Sequence, residues 1–169
     1  MNRNLIISDI EDICRQSGSK KTAVIENGEI KGAGESEADF HGICGELEIT
    51  NTGKNMLLSG RVKAYAKAVC SRCLEEFSLE VSAEITEKFF RRDKTSSGGS
   101  LKKEKRQEEK SGVKEDEFSY SGFKLDMTEA IRQNLVVNMP FAAVCSESCK
   151  GLCSECGGSL NNGQCTCRE

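Results

Sequence analysis

Apolar and polar residues alternate with a period of two along much of the first half of the chain. The alternation runs over residues 43–50, 58–69 and 77–85, with aliphatic or aromatic side chains on one side and mostly Ser, Thr, Lys, Arg or Glu on the other. A period of two is typical of β-strands that bury one face. Residues 51–54 (Asn-Thr-Gly-Lys) have the composition of a turn between the first two segments. The pattern therefore predicts an antiparallel β-meander.

The apolar faces also suggest how the strands pair. Matching apolar side chains across the first turn pairs Ile49 with Met56. The second hairpin is expected to close across Cys70 and Cys73, because this register again sets apolar residues opposite one another. The prediction places a cysteine pair at the tip of a β-hairpin.

A helical period follows residue 118. Asp126 is the predicted N-cap residue, Glu129 follows it by three positions, and Pro140 ends the run. One face of the predicted helix collects six residues at helical spacing: Met127, Ala130, Ile131, Asn134, Leu135 and Asn138. We expect this helix to pack against the sheet and to bring Cys145 and Cys149 toward the hairpin.

The first forty residues carry weaker patterns. Ile6, Ile10 and Ile13 have the spacing of a short helix face. Residues 22–26 (Thr-Ala-Val-Ile-Glu) have the composition of a strand. These patterns favour a short helix followed by a strand.

Composition divides the chain into four parts. Residues 91–117 contain two aliphatic residues and many charges of both signs, so they bury too little apolar area to offset the entropy of ordering. This composition favours a disordered, solvated linker over a basic arm that binds nucleic acid. The predicted parts are an N-terminal region with the β-meander (1–90), the charged insert (91–117), a helix that completes the core (118–144) and a cysteine-rich tail (145–169). The predicted fold class is α+β.

The tail is organised around cysteine. Six of the ten cysteines lie in the last 25 residues. Cys153 and Cys156 are three positions apart and precede Gly157, a residue that tolerates the positive φ of a metal-binding turn. Cys165 and Cys167 present their sulfurs to one side of an extended segment. Four thiolates favour tetrahedral Zn²⁺, with an iron–sulfur cluster as the lesser option.

A second four-thiolate site is predicted from the cysteines that remain. Cys70 and Cys73 form a pair on the hairpin, and Cys145 and Cys149 precede the terminal set. We expect these four to bind a second Zn²⁺, so the chain would hold two. In the alternative division of ligands, Cys149 joins the terminal group.

The remaining cysteines and the compartment complete this interpretation. Cys14 and Cys44 stand apart from the others and are expected to be small buried or half-buried hydrophobic residues. The N-terminus reaches acidic residues before an apolar signal core forms, and no run approaches the roughly 18 apolar residues of a membrane span. We therefore expect a cytoplasmic protein that makes no contact with membranes and whose thiols bind metal rather than forming disulfides.

The sequence argues against an enzyme. His41 is the only histidine, and it has no evident nucleophile or base beside it. Cys70 and Cys73 are flanked by strands, whereas a redox pair needs a helix N-terminus to lower the thiol pKa. A zinc ion held by four thiolates has no open coordination position for chemistry.

A basic stripe on the second strand is a weak candidate for binding RNA. It consists of Arg61, Lys63, Tyr65 and Lys67. The expected register sets Glu76 opposite Lys67 and Glu80 opposite Lys63, which neutralises both lysines. The net charge of −3 also argues against phosphate binding through the global field. The stripe is interpreted as a solvated face.

The order of these features resembles a known family. The chain has the hairpin motif 69–75 (Val-Cys-Ser-Arg-Cys-Leu-Glu), a charged insert, a helix ending near Pro140 and the cysteine pattern of the tail at 145–167. This order is similar to the bacterial YceD family, also labelled DUF177 and known as large ribosomal RNA subunit accumulation proteins. The resemblance covers residues 40–169. Ser154 stands where the family tail usually has proline, and the insert is more basic than the acidic stretch of the family.

The resemblance implies a non-enzymatic factor that supports accumulation or processing of 23S ribosomal RNA and ribosome assembly. Its implied partners are large-subunit ribosomal RNA or a pre-ribosomal particle, together with ribosomal or assembly proteins, and no small-molecule substrate. The alternative is a zinc-ribbon adaptor that binds an assembly factor or ribosomal protein without touching RNA. A thiol redox enzyme is the third hypothesis. Arg72, Lys150 and Arg168 are the basic residues nearest the two predicted sites and the candidate contacts for RNA or partner.

Overall fold

A five-stranded sheet, a two-stranded sheet and one longer helix make up most of the part of the chain that the structure describes. The computed structural model describes residues 6–32, 38–92, 118–163, 165 and 167. In chain order the elements are β1 (Ile7–Asp9), α1 (Glu11–Cys14), β2 (Lys20–Ile30), β3 (Phe40–Asn51), β4 (Asn55–Val69), β5 (Glu76–Arg91), β6 (Ser119–Tyr120), β7 (Lys124–Asp126) and α2 (Thr128–Val137). The architecture is α+β, as the sequence predicts.

The predicted β-meander makes up most of the large sheet. Its strand order is β2-β3-β4-β5-β6, and β2 to β5 pair antiparallel with their sequence neighbours. The sheet then gains a strand that the sequence did not predict: β6 pairs parallel to β5, with Phe90 opposite Ser119. Arg91 is the last residue of β5, so the sheet includes the first residue of the predicted charged insert. Positions 93–117 of that insert lie outside the described residues.

The core lies between one face of the large sheet and helix α2. The alternating strand residues and the apolar face of the helix supply many of its buried side chains, among them Leu47, Ile49, Leu58, Val62, Ala64, Val81, Ile85, Ala130, Ile131 and Leu135. Burial of this apolar area is the main favourable term in folding. Asn134, on the edge of the helix face, donates a hydrogen bond of 2.9 Å to Glu87 of β5. The predicted helix and the apolar part of its buried face are therefore confirmed, whereas Asn138 is exposed at the end of the helix.

The start of this helix differs from the predicted capping box. The helix begins at Thr128, and the Asp126 carboxylate accepts a 3.0 Å hydrogen bond from the Thr128 backbone N–H. The N-cap residue is Met127, whose backbone N–H donates to the Ile6 carbonyl at 2.9 Å, and the Glu129 carboxylate pairs with Arg132 at 2.6 Å. Asp126 is instead the last residue of β7, so one residue ends a strand and supports the first turn of the helix.

Both predicted hairpin registers are wrong by two residues. In the first hairpin Asn51, rather than Ile49, pairs with Met56. The reason is the Asn51 side chain, which is 5 % exposed and accepts a 2.7 Å hydrogen bond from the Gly53 backbone N–H. The same side chain donates a 2.8 Å hydrogen bond to the Ile13 carbonyl. These bonds extend β3 past the apolar residues that the sequence pattern ended on.

The second hairpin is also longer than predicted. The last pair of its ladder is Val69 with Glu76, so a six-residue turn at 70–75 joins β4 and β5. Lys67 consequently lies opposite Ser78 rather than Glu76. A shift of two residues keeps every side chain on its predicted face, which is why the alternation could not distinguish the two registers.

The N-terminal prediction is partly wrong. Ile6 and Ile10 do not share a helix, because β1 separates them and α1 has only four residues. β1 pairs with β7, and the Ile6 backbone N–H donates a 2.8 Å hydrogen bond to Thr128 Oγ1. Ile10 and Ile13 are buried in the core, and the predicted strand at 22–26 lies within β2. Within the part of the chain that the structure describes, no helix is long and apolar enough to cross a membrane.

Candidate metal centre

Two groups of four cysteines meet in the described part of the chain, with the membership that the spacing predicted. We call Cys70, Cys73, Cys145 and Cys149 the first cluster. Its sulfurs lie within 4.8 Å of one another. Two of the separations are 3.9 Å, between Cys70 and Cys149, and 3.7 Å, between Cys73 and Cys145. The alternative in which Cys149 joins the terminal group does not match this geometry.

The second cluster consists of Cys153, Cys156, Cys165 and Cys167. Its sulfurs also lie within 4.8 Å of one another, with 3.9 Å between Cys156 and Cys165. It is more exposed than the first: three cysteines of the first cluster are buried, and every cysteine of the second is half-buried or exposed. The ten cysteines all lie among the described residues and form no disulfide.

Each cluster contains a turn of the same construction, at 70–75 and at 153–158. We call these turns the first and second knuckle. In both, the N–H of the residue after the second cysteine donates to the carbonyl of the first cysteine, at 2.9 Å from Leu74 and 3.0 Å from Gly157. In both, the first cysteine's N–H donates at 2.9 Å to the carbonyl of the last residue in the turn. Both knuckles close antiparallel pairings: the first closes the long β4–β5 ladder, and the second closes an isolated bridge between Leu152 and Ser159.

Hydrogen bonds fasten the tail to the first knuckle. The Ser71 backbone N–H donates to the Ala143 carbonyl at 2.8 Å. Arg72 Nη1 donates to the carbonyls of Glu147 and Cys149, at 3.3 and 3.2 Å. These contacts hold the segment that carries Cys145 and Cys149 against the tip of the hairpin.

A loop between the cysteine pairs of the second cluster contacts the first cluster. Asn161 Nδ2 donates a 3.3 Å hydrogen bond to Cys149 Sγ, and Asn161 Oδ1 accepts one of 2.8 Å from the Lys150 backbone N–H. The Glu75 carboxylate of the first knuckle accepts hydrogen bonds from Ser159 Oγ at 3.3 Å and from Asn162 Nδ2 at 3.4 Å. The two clusters are therefore neighbours joined by side chains.

The thiols of the first cluster differ in acidity. The Cys145 backbone N–H, as the largest influence, lowers the pKa of Cys70 to about 6. The Asn161 side-chain hydrogen bond is the main reason why the pKa of Cys149 is lowered. Burial, followed by the neighbouring cysteine sulfurs, raises the pKa of Cys145 to about 12. Backbone and amide N–H groups thus stabilise negative charge on some sulfurs, and the others stay protonated beside them.

The second cluster shows the same division. The backbone N–H groups of Cys156 and Glu155 lower the pKa of Cys153 to about 6. The Cys156 sulfur, followed by burial, raises the pKa of Cys167 to about 12. Four close sulfurs resist carrying four negative charges unless a cation lies among them. Both clusters therefore have the donor set of a four-thiolate site for a soft or borderline divalent ion, and these residues fit a structural Zn²⁺.

The three predicted contact residues have different surroundings. Arg72 is exposed, but its guanidinium holds the tail through the two carbonyls described above. Lys150 is exposed, and its backbone N–H donates a hydrogen bond to Asn161 Oδ1. Arg168 lies outside the described residues.

Acidic residues contact the predicted basic stripe. Lys63 Nζ lies 3.4 Å from Glu80 Oε1, and Tyr65 donates its hydroxyl to the same carboxylate at 3.2 Å. Arg61 lies 3.9 Å from Glu84. The stripe is thus partly neutralised, with Glu80 and Glu84 as the partners.

The isolated residues lie away from both clusters. Cys14 is half-buried against the core, as predicted, and burial raises the pKa of its thiol. The prediction for Cys44 is wrong: it is exposed, because it points to the outer face of β3 opposite Lys63. His41 lies in β3, with its ring centre 6.1 Å from that of Tyr65.

Sequence reasoning missed Glu75 and Asn161, which link the clusters, and the positive φ of Leu74. The cysteine spacing identifies sulfur donors, but it carries no signal for the residues that hydrogen-bond to sulfur or that align the two knuckles. The sequence signal for them was the concentration of Asn, Ser and Gly in the loop between Cys156 and Cys165.

Comparison with known proteins places these features in a family. A family model described as large ribosomal RNA subunit accumulation protein YceD matches residues 58–169, which include both clusters. An uncharacterized protein of Mycobacterium tuberculosis (strain ATCC 25618 / H37Rv) is 29 % identical over 115 residues, covering 68 % of this chain and 50 % of that protein. A Zea mays protein named large ribosomal RNA subunit accumulation protein YCED homolog 1, chloroplastic, is 26 % identical over 140 residues, covering 72 % of this chain and 47 % of its own length.

The chain spans about half the length of these curated relatives. No solved structure matches it significantly. The family model covers well over half of the chain and ends at its last residue, so it takes in the β4–β5 hairpin, helix α2 and the cysteine-rich tail. On this match, the chain belongs to the YceD family of large ribosomal RNA subunit accumulation proteins.

Proposed function

We propose that this protein supports the accumulation of large-subunit (23S) ribosomal RNA in the cytoplasm as a non-enzymatic assembly factor, with one Zn²⁺ in each cysteine cluster. The observation that carries the proposal is the family match over residues 58–169, because it includes both clusters and the elements that position them. The partner is large-subunit ribosomal RNA or a pre-ribosomal particle, and no small-molecule substrate is involved.

The role proposed for the metal is structural. In each cluster four sulfurs converge within 4.8 Å, and four thiolates complete the tetrahedral coordination of a structural zinc ion. Hydrogen bonds from Ser71 and Arg72 bring the tail to the hairpin, and bound metal would lock that contact. The ions would thus fix the shape of one end of the molecule rather than take part in chemistry.

We place the binding surface at this end of the β4–β5 hairpin. Lys150 is exposed there, between the two clusters along the chain. Arg72 also lies there and would contribute charge while holding the tail. Arg168 belongs to the same proposal on the basis of its position in the sequence. The basic stripe on β4 is a poorer candidate, because Glu80 and Glu84 contact its members.

A specific observation favours the adaptor as the second candidate. Val69 and Leu74 flank or lie within the first knuckle and are 55 % and 65 % exposed. Exposed aliphatic side chains suit contact with protein more than contact with phosphate. In this alternative the clustered end binds a ribosomal or assembly protein and touches no RNA.

Gene deletion with complementation tests the main proposal. Deleting the gene should lower mature 23S RNA relative to small-subunit RNA, at optimal and at low growth temperature. Cys73→Ser and Cys156→Ser, which disrupt one cluster each, should fail to restore the ratio. Cys44→Ser is the matched control, because Cys44 is an exposed thiol outside both clusters. An unchanged ratio in the deletion strain would remove the ribosomal function.

Cross-linking in cells, read out for both RNA and protein, separates the two candidates. The main proposal expects cross-links to 23S RNA that weaken in Lys150→Ala. Lys54→Ala is the control, because Lys54 is exposed in the turn at the opposite end of β4. Purified protein should also bind this RNA less tightly as salt increases. Cross-links to protein alone would favour the adaptor.

A further inference from the structure

The loop at 157–163 joins the cysteine pairs of the second cluster, yet its side chains contact the first cluster. Asn161 contacts a sulfur of that cluster directly, since its Nδ2 lies 3.3 Å from Cys149 Sγ. Ser159 and Asn162 both donate to the Glu75 carboxylate of the first knuckle. The second cluster thus anchors the loop, and the loop contacts a sulfur of the first cluster.

The orientation of the Asn161 amide is determined by its second hydrogen bond. Oδ1 accepts the Lys150 backbone N–H at 2.8 Å. A backbone N–H requires an acceptor, so the amide oxygen must face Lys150 and the NH₂ group must face the sulfur. The hydrogen bond to Cys149 is therefore a donation toward the sulfur of a proposed metal ligand, and such an outer-shell contact holds the ligand in position.

The second cluster anchors both ends of this loop. Cys156 precedes it and Cys165 follows it, and their sulfurs lie 3.9 Å apart. Metal in that cluster would hold the two ends together and reduce the entropy that the loop loses when it orders against the first cluster. Without metal in the second cluster, the hydrogen bond from the Leu160 backbone N–H to the Gly151 carbonyl would still hold the middle of the loop.

We propose that Asn161 is a positioning residue for the first cluster, through which metal binding at the two clusters is positively coupled. Metal in the second cluster holds Asn161 against Cys149 and so raises the affinity of the first. Thermodynamic linkage requires that metal in the first cluster raise the affinity of the second by the same factor. The inference rests on the proposed metal occupancy of both clusters.

The key variant is Asn161→Asp in the full chain. Aspartate keeps the side-chain shape and an oxygen for the Lys150 N–H, but it replaces the donor that faces the sulfur with an anionic oxygen. Loss of an outer-shell partner of a metal ligand typically lowers metal affinity about 10–100-fold, and we expect the first cluster to show a decrease in this range. The second cluster should lose no more than the same factor, which is the share that linkage requires, because Asn161 touches none of its sulfurs in the structure.

Zn²⁺ affinity would be measured by competition with a chelator, and the clusters would be told apart by ¹¹³Cd NMR. Cd²⁺ loading should give one resonance per cluster, assigned with Cys73→Ser and Cys156→Ser. Asn161→Asp should shift the first-cluster resonance and leave the other in place. Asn162→Ala is the matched control, because its amide meets Glu75 and no sulfur, and it should leave both resonances unchanged.

The coupling has its own measurement, which does not depend on the Asp variant folding. Cys156→Ser disables the second cluster with Asn161 intact, and it should lower the affinity of the first cluster about as much as Asn161→Asp does. The double variant should show little further loss of first-cluster affinity beyond that of either single variant, because both substitutions act through the same contact.

Three results would overturn the inference alone: an unchanged first-cluster affinity in Asn161→Asp, a greater loss of affinity at the second cluster than at the first in that variant, or an unchanged first-cluster affinity in Cys156→Ser. Failure of the unaltered protein to bind Zn²⁺ or Cd²⁺ at all would instead overturn the metal proposal, and the inference with it.

Discussion

Leu74 and Gly157 occupy the same position in two turns of the same construction. Each follows the second cysteine of a Cys-x-x-Cys pair, with φ of 58° and 70° respectively. Each donates its backbone N–H to the carbonyl of the first cysteine of its pair. Glycine adopts this left-handed conformation readily, whereas leucine does so at a cost in free energy. The first knuckle therefore holds a strained residue where the second holds an unstrained one.

Leu74→Gly should stabilise the folded protein. The left-handed conformation costs an L-residue about 1–2 kcal/mol, and the greater freedom of unfolded glycine offsets about 0.5–1 kcal/mol of that gain. The expected increase in the free energy of unfolding is about 0.5–1 kcal/mol, measured by urea denaturation of the metal-loaded protein.

Leu74→Ala is the matched control for that prediction. It removes the same exposed side chain but leaves a Cβ at positive φ, so it should change stability little. Equal stabilisation by Ala and Gly would show that the exposed side chain, rather than the backbone conformation, is responsible.

Cys156→Ser should release the end of the tail. If metal in the second cluster supplies the folding free energy of that segment, as in small zinc domains, residues 150–169 should exchange their amide hydrogens rapidly in the variant. The β4–β5 ladder should remain protected, because its core packing does not involve this cluster. Hydrogen-exchange mass spectrometry measures both regions, and a tail that stays protected would contradict the structural role. Cys44→Ser should leave exchange unchanged throughout.

Metal binding should release protons, and the number released should depend on pH. The pKa values of Cys145 and Cys167 are raised to about 12, so both thiols are protonated near neutral pH and must lose a proton to bind metal. Cys70 and Cys153, with pKa values of about 6, are mostly ionised there. Each ion should therefore displace at least one proton near neutral pH.

The apparent affinity for metal should fall as the pH falls. Lowering the pH through about 6 protonates Cys70 and Cys153 as well, so each ion then displaces about one more proton and apparent affinity falls more steeply. Calorimetric titration in buffers of different ionisation enthalpy measures the number of protons that each ion releases. An affinity independent of pH between 5 and 8 would disagree with the four-thiolate assignment.

Asn51→Ala should destabilise the sheet. The buried amide bonds to the Gly53 N–H and to the carbonyls of Ile13 and Gln16, at 2.7, 2.8 and 3.2 Å. Leaving these groups without partners should lower the free energy of unfolding by about 2–3 kcal/mol. Asn55→Ala is the control, because the described hydrogen bonds of Asn55 use its backbone. It should stay within about 0.5 kcal/mol of the unaltered protein in the same urea titration.

Much of the fold was predictable because the strands and the helix each bury one face. The alternation at 43–50, 58–69 and 77–85 identified β3, β4 and β5, and the helical spacing identified α2. The cysteine spacing grouped eight thiols into two sets of four, and the structure brings the same sets together. These features are determined locally, by periodicity and by the chemistry of sulfur.

The tertiary structure decided the features that local sequence patterns do not distinguish, namely strand register, one backbone conformation and the contacts between the clusters. Strand register is invisible to alternation when the shift is two residues, and the buried Asn51 amide together with the six-residue first knuckle fixed it. The positive φ of Leu74 contradicts the preference of that residue and is imposed by the turn around it. Asn161 meets Cys149 because two segments distant from each other, the hairpin and the tail, pack together. The sequence by itself therefore determined which elements form and which thiols group, whereas long-range packing decided their registers and the contacts between the two clusters.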